Sequence, residues 1–146
     1  MKVLIQRVES AKVTVEHVDV AEIKEGLLLY VCFEVYDTEL ILNNAVEKIC
    51  NLRIFEDKNQ KMNISIMDIQ EAKILSISQF TLSWDGNKGN RPSFDKSMAP
   101  KKAQSFYKIF NFALKQKNLN VSEGIFGADM KIQSTNDGPA TFYLSF

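Results

Sequence analysis

Residues 2–10 set Val3, Ile5, Arg7 and Glu9 on one face and Leu4, Gln6, Val8 and Ser10 on the other, which predicts a strand with mixed faces. Residues 11–17 keep the period of two, with Val13 and Val15 inward and Lys12, Thr14 and Glu16 outward. This predicts a second, half-buried strand in which His17 faces solvent. Lys24-Glu25-Gly26 reads as a turn into a fully apolar strand, Leu27–Phe33. Asp37 or Thr38 can cap a helix whose stripe is Leu42, Ala45, Val46, Ile49 and Cys50. Asp57-Lys58-Asn59-Gln60 is a polar hairpin turn between short strands, and Ala72–Leu82 reads as one strand. A loop rich in Gly, Asn, Ser and Pro follows from Trp84 to Ala99. Pro100 suits the first turn of a second helix, with Ala103, Phe106, Tyr107, Phe110 and Leu114 on one face. Two last strands, roughly Met130–Thr135 and Ala140–Phe146, are joined through Asp137-Gly138-Pro139.

Strands outnumber helices, and the early ones form sequential hairpins. The expected class is α+β: mainly antiparallel sheets forming a barrel-like core with two helices. At 146 residues, without repeats, low-complexity tracts or a linker, the chain reads as a single domain, 1–146. Its 45% hydrophobic and 25% charged content is that of an ordinary globular chain. No apolar run reaches the roughly 20 residues of a membrane span. The N-terminus meets Lys2 and Arg7 before a signal core forms, so the expected compartment is the cytoplasm. Cys32 and Cys50 lack metal-ligand spacing and fall on apolar stripes, as buried reduced thiols do. No P-loop, dinucleotide fingerprint, zinc-hydrolase motif or calcium loop is present; neither a cofactor nor a metal is expected.

Net charge is zero but unevenly spread. Between Gly86 and Val121 stand eight basic residues and one acid, a window of +7 set against −7 elsewhere. Such a segment suits a phosphate backbone, or is a solvated helix face; charge alone favours the second.

Two short stretches bear on chemistry. Ser78-Gln79-Phe80-Thr81-Leu82 closes an apolar strand, where ladder pairing stops and backbone N–H groups become free to meet a ligand. Asn136-Asp137-Gly138-Pro139-Ala140-Thr141 forces a local backbone choice, because proline removes a donor and glycine opens angles closed to other residues. A cis Gly-Pro bond would turn its two carbonyls the same way, able to accept one ammonium group together; a plain turn is the simpler reading. Neither stretch holds a nucleophile with its base.

These two stretches resemble the signature motifs of the D-aminoacyl-tRNA deacylases. Leu4-Ile5-Gln6-Arg7-Val8, Gly26-Leu27-Leu28-Leu29, Arg53-Ile54-Phe55, Lys61-Met62-Asn63, Arg91-Pro92-Ser93-Phe94 and Phe126–Met130 look like further family blocks, in the family's order from end to end. Ala140 stands where the family usually has a larger aliphatic, and Cys32 and Phe33 where glycine is commoner. The resemblance implies hydrolysis of the D-aminoacyl-tRNA ester, a proofreading step in translation, with glycyl-tRNA mischarged on tRNA-Ala as a further substrate. It implies a homodimer whose active site lies at the subunit interface. Ser78, Gln79, Phe80 and Thr81 would form the catalytic pocket, and a Gly138-cis-Pro139 pair from the other subunit would reject L-amino acids. Phe94 and Met130 would lie near the adenosine or aminoacyl group, and Arg7 behind the Gly-Pro pair. The tRNA 3′ end would supply its own catalytic hydroxyl. Lys88, Arg91, Lys101 and Lys102 would then meet tRNA phosphates. A non-catalytic RNA-binding module is the alternative.

Overall fold

The computed structural model describes residues 1–87 and 89–146. Alternation from Lys2 persists to Val15, and the chain forms one long strand there, β1 (Lys2–Val15), rather than two. Glu16 and His17 take positive φ (48° and 66°) in a tight turn, so His17 is exposed in a turn and not in a strand. The chain folds back as β2 (Val18–Ile23), antiparallel to the second half of β1. β3 (Gly26–Cys32) pairs antiparallel with the first half. β1 therefore carries two strands in succession along one edge.

Thr38 caps α1 (Glu39–Asn51), its hydroxyl accepting from the Ile41 N–H at 3.3 Å. A two-stranded ribbon follows, β4 (Arg53–Glu56) with β5 (Met62–Ser65), around the Asp57 turn. β6 (Lys73–Ser78) lies parallel to β3, and β7 (Asn120–Glu123), after α2 (Pro100–Gln116), lies parallel to β6. Antiparallel pairs outnumber parallel ones, as expected. The two parallel pairs are additional, each requiring a crossover that a helix supplies. Leu27–Leu29 and Ile74–Ile77 are buried on both faces, the pattern of parallel strands.

The expected strand over Ala72–Leu82 stops at Ser78, and Phe80–Ser83 turns into a 3-10 helix. The two expected tail strands are one, β8 (Lys131–Ser145), antiparallel to nearly all of β1. Its register breaks between Gln6 and Val8, which pair with Thr141 and Asn136. Residues 137–140 thus bulge opposite Arg7 alone. The Gly138–Pro139 peptide bond within this bulge is cis.

Two cores result. Ile5, Leu27, Leu29 and Ile74 pack under α1 and α2, whose buried stripes include Leu42, Ile49, Phe110 and Leu114. On the opposite face Leu28, Leu75 and Ile77 meet Val8, Val13 and Ile23, as β1 curls over to give the barrel-like wrap. No helix among the described residues is long and apolar enough to cross a membrane.

Candidate functional site

Where β3 and β6 end, the backbone changes course and a cavity opens. The Gln79 N–H continues the ladder by donating to the Val31 carbonyl at 2.7 Å, and pairing then stops. Phe80 and Thr81 open the 3-10 turn; its later N–H groups bond back to Gln79 and Thr81, and no side chain caps its start. The first N–H groups of such a turn have no partner within it, so those of Phe80 and Thr81 make no backbone bond among the described residues, and Phe80 lines the cavity.

The cavity beside this turn has a volume of about 630 Å³. Ser78, Gln79 and Phe80 form one wall, Phe94 and Met98 another, and Phe126 to Met130 a third. Tyr107 holds that third wall in place. Its hydroxyl donates to the Ser76 carbonyl at 2.6 Å, and its ring packs against Phe126 at 5.9 Å. Cys32 lines the floor, its thiol donating to the Phe80 carbonyl at 3.5 Å. Burial pushes that thiol up to about 11, so it is protonated and inert near neutrality. Thr81 is exposed, and its hydroxyl bonds to no other described side chain. Among the described residues no group of three or more His, Cys, Asp or Glu is arranged to hold a metal ion.

The N-terminus of α2 forms part of the cavity rim through Ala99 and Pro100. No acid stands in its first turn and no side chain caps it, whereas Lys101 and Lys102 are both exposed there. The positive end of the helix dipole adds to these lysines instead of being offset, at some expense in stability, and attracts anions to the rim. Ion pairs narrow the basic window further. Lys96 is held by Asp85, Lys115 by Glu123 and Lys117 by Glu47. Arg91, Lys101, Lys102 and Lys108 have no such partner among the described residues. Lys102 leans over the Phe106 ring at 5.4 Å. Lys88 lies outside the described residues.

The second motif lies elsewhere. By register Arg7 stands level with Leu27 and Ile74, whereas Ser78 pairs with Val31, four residues along β3. Four residues along the strands and three strands across separate the Gly138–Pro139 bulge from Ser78, on the order of 20 Å. Gly138 and Pro139 are exposed and do not line their own chain's cavity. Arg7 is buried behind them at 3% exposure. Its Nη1 donates to the Ile54 carbonyl at 2.6 Å, and Nε lies 2.7 Å from Asp137 in an ion pair too poorly aligned to be a hydrogen bond. Glu56 is 3.7 Å away, across a cleft of about 230 Å³.

One chain thus brings Ser78, Gln79, Phe80, Phe94 and Met130 together, leaves Thr81 outside, and sets Arg7, Gly138 and Pro139 apart. Sequence reasoning missed the Ala99–Pro100 rim and any role for Asn136 and Asp137. An acid next to Gly-Pro, with an arginine that shares a strand face with Val3 and Ile5, was the available signal for Asp137.

The chain matches the D-Tyr-tRNA(Tyr) deacylase family over residues 4–145. It is 48% identical over 139 residues to a D-aminoacyl-tRNA deacylase of Francisella tularensis subsp. tularensis (strain WY96-3418), spanning 95% of both chains. Among solved structures it is similar to a c-Myc DNA unwinding element binding protein, with a TM-score of 0.93, 38% identity and coverage of 100% and 99% of the two chains. It shares its fold with a probable eukaryotic D-amino acid tRNA deacylase at TM-score 0.84, 19% identity and 98% and 97% coverage.

Proposed function

Because the chain belongs to the D-Tyr-tRNA(Tyr) deacylase family, we propose that it hydrolyses the ester bond of D-aminoacyl-tRNA, releasing the D-amino acid and tRNA. The observation that carries the reading is the pair of unclaimed N–H groups, of Phe80 and Thr81, beside a cavity of about 630 Å³. An ester needs its carbonyl oxygen stabilised as charge develops, and each well-placed donor supplies about 3–4 kcal/mol. Ser78 and Gln79 orient the ester, and Phe94 and Met130 flank the adenosine or aminoacyl group. The neighbouring 2′-hydroxyl of the terminal ribose assists the attacking water, since the Thr81 hydroxyl has no base beside it.

Selectivity comes from a second subunit. Gly138 and Pro139 of the partner subunit present their carbonyls to the substrate's α-ammonium, held from behind by that subunit's Arg7. A D side chain then points to solvent, an L side chain collides with the pair, and glycine is accepted, glycyl-tRNA mischarged on tRNA-Ala included. The separation of the bulge from its own chain's cavity supports a shared site in a homodimer. Lys88, Arg91, Lys101 and Lys102 meet tRNA phosphates. The cytoplasm is where this substrate is made.

The direct test is deacylation of one tRNA charged with the D or the L form of the same amino acid. Equal rates would sink selection by exclusion, and binding without hydrolysis would identify an RNA-binding module. The shared site is tested by mixing Gln79→Ala and Pro139→Ala subunits, each inactive alone. Random pairing yields about half heterodimers, each with one intact site, so about a quarter of wild-type activity returns. No recovery, with heterodimers demonstrated, places both halves in one chain.

A further inference from the structure

Arg7 has no partner in the β1–β8 ladder, because the register steps from Gln6–Thr141 to Val8–Asn136. Its carbonyl and that of Ala140, on the far side of the bulge, would be left without strand bonds. The Asn136 side chain takes both: Nδ2 donates to the Arg7 carbonyl at 2.9 Å and to the Ala140 carbonyl at 3.1 Å. One amide therefore ties the start of the bulge to its end and to the neighbouring strand.

Which end of the amide faces the carbonyls is fixed by chemistry, since only the NH2 group can donate. A chain of bonds holds it that way round. The Thr141 hydroxyl donates to Asn136 Oδ1 at 3.3 Å, and Gln6 Nε2 donates to the Thr141 oxygen at 3.4 Å. Those outer links are long and partly exposed, so the two Nδ2 bonds carry most of the hold. Asp137 adds the second fastening through Arg7 Nε at 2.7 Å. Three consecutive residues thus divide the work: Asn136 and Asp137 fix the bulge, and Gly138 forms its exposed tip, where a Cβ would lie 3.1 Å from Arg7 Nη2.

We propose that Asn136 is the positioning residue for enantiomer discrimination, acting through the Gly138–Pro139 bulge and not by touching substrate. The inference rests on the deacylase reading above. Exclusion of one enantiomer requires a wall that does not yield, and a bulge free to shift by an ångström admits the L side chain.

The experiment compares wild type with Asn136→Ala and with Asn136→Asp, which keeps the size but turns carboxylate oxygens toward both carbonyls. Each dimer is assayed on one tRNA charged with D- or L-tyrosine, and amide hydrogen exchange is followed across residues 136–141. In both variants the D-to-L ratio of kcat/KM falls about tenfold, chiefly through faster L hydrolysis, and exchange in the bulge accelerates about tenfold while β3 is unchanged. Thr141→Val, which removes only the two outer links, shows a smaller change of the same kind. A D-to-L ratio that stays constant while both rates drop together overturns the proposal and leaves Asn136 a purely structural residue. Unchanged exchange in the bulge overturns it as well, whatever the rates. If wild type itself shows no preference for the D form, the deacylase reading falls and takes the discrimination role with it, while exchange still reports whether Asn136 fastens the bulge.

Discussion

Phe80 and Phe94 meet edge to face at the cavity rim, ring centroids 4.9 Å apart and planes at 75°. Phe80 belongs to the 3-10 turn that carries the free N–H groups, and Phe94 to the loop before α2, so this contact fastens the loop to the turn. Phe94→Ala should raise KM for D-aminoacyl-tRNA roughly three- to tenfold, the worth of one aromatic pair. The donors stay in place, so kcat should change little. Initial rates across substrate concentrations check this, and an unchanged KM with a lowered kcat contradicts it.

Gly26 lies where β3 starts against β6, with φ at +156°. A Cβ there would sit 1.9 Å from the Lys73 carbonyl oxygen. The neighbour is backbone within a parallel ladder and has nowhere to move. Gly26→Ala should therefore lower stability by about 3 kcal/mol or more, measured by urea unfolding. A loss below about 1 kcal/mol would mean that β3 and β6 can separate without harm.

The unpaired lysines of the first α2 turn should carry the salt dependence of tRNA binding. Replacing Lys101 and Lys102 together by alanine should flatten the log–log slope by about one unit for each phosphate no longer neutralised, alike for different tRNAs. Lys115→Ala is the control, because Glu123 already neutralises that lysine. A slope change in the control and none in the double variant would reverse the assignment.

Thr81→Ala should retain more activity than wild type acting on tRNA that lacks the terminal 2′-hydroxyl. The Thr81 side chain is exposed and has no base, whereas its N–H survives the substitution. Trapping an acyl group on Thr81 by mass spectrometry would refute this.

Burial lifts both Cys32 and Cys50 to about 11. Only about one thiol in a thousand is then ionised at pH 8, and iodoacetamide should leave the folded protein unlabelled while marking both cysteines in denaturant. An unfolded cysteine ionises near 8.5, so stability is complete below that pH and declines as pH rises toward about 11. Rapid labelling of the native protein at pH 8 would contradict the burial.

Much of this was legible in the chain because it is local. Period-two alternation revealed strand over Lys2–Val15, though as two pieces, the Leu42–Cys50 stripe with a cap at Asp37 or Thr38 revealed α1, and Pro100 marked the start of α2. Ser78–Thr81 was readable as a strand end, although Phe80 suggested a longer strand since an apolar residue continues the pattern whether or not the backbone does. What stayed hidden depends on partners distant in sequence. Leu27–Leu29 looks the same whether its neighbour runs parallel or antiparallel, so the pairing with Ile74–Ser76 could not be read. The bulge split β8 in two on paper, because Gly138 and Pro139 signal a break wherever they occur. Its continuity is visible only once β1 lies alongside. The ion pair of Arg7 with Asp137 spans a similar distance and left only a charge on the strand face of Val3 and Ile5.

That β1–β8 ladder also governs when the protein can be finished. Lys2 pairs with Ser145 and Thr14 with Lys131, so the first strand made waits for the last. While a chain is still growing on the ribosome, β1 can form its hairpin with β2 and join β3, but its other edge stays open for want of β8. An open edge of that length invites pairing with neighbouring nascent chains, and closing it joins segments about as far apart as the sequence allows, which slows folding. Chaperone demand should therefore peak just before β8 emerges, and removing β8 alone should yield aggregates instead of a partly active enzyme.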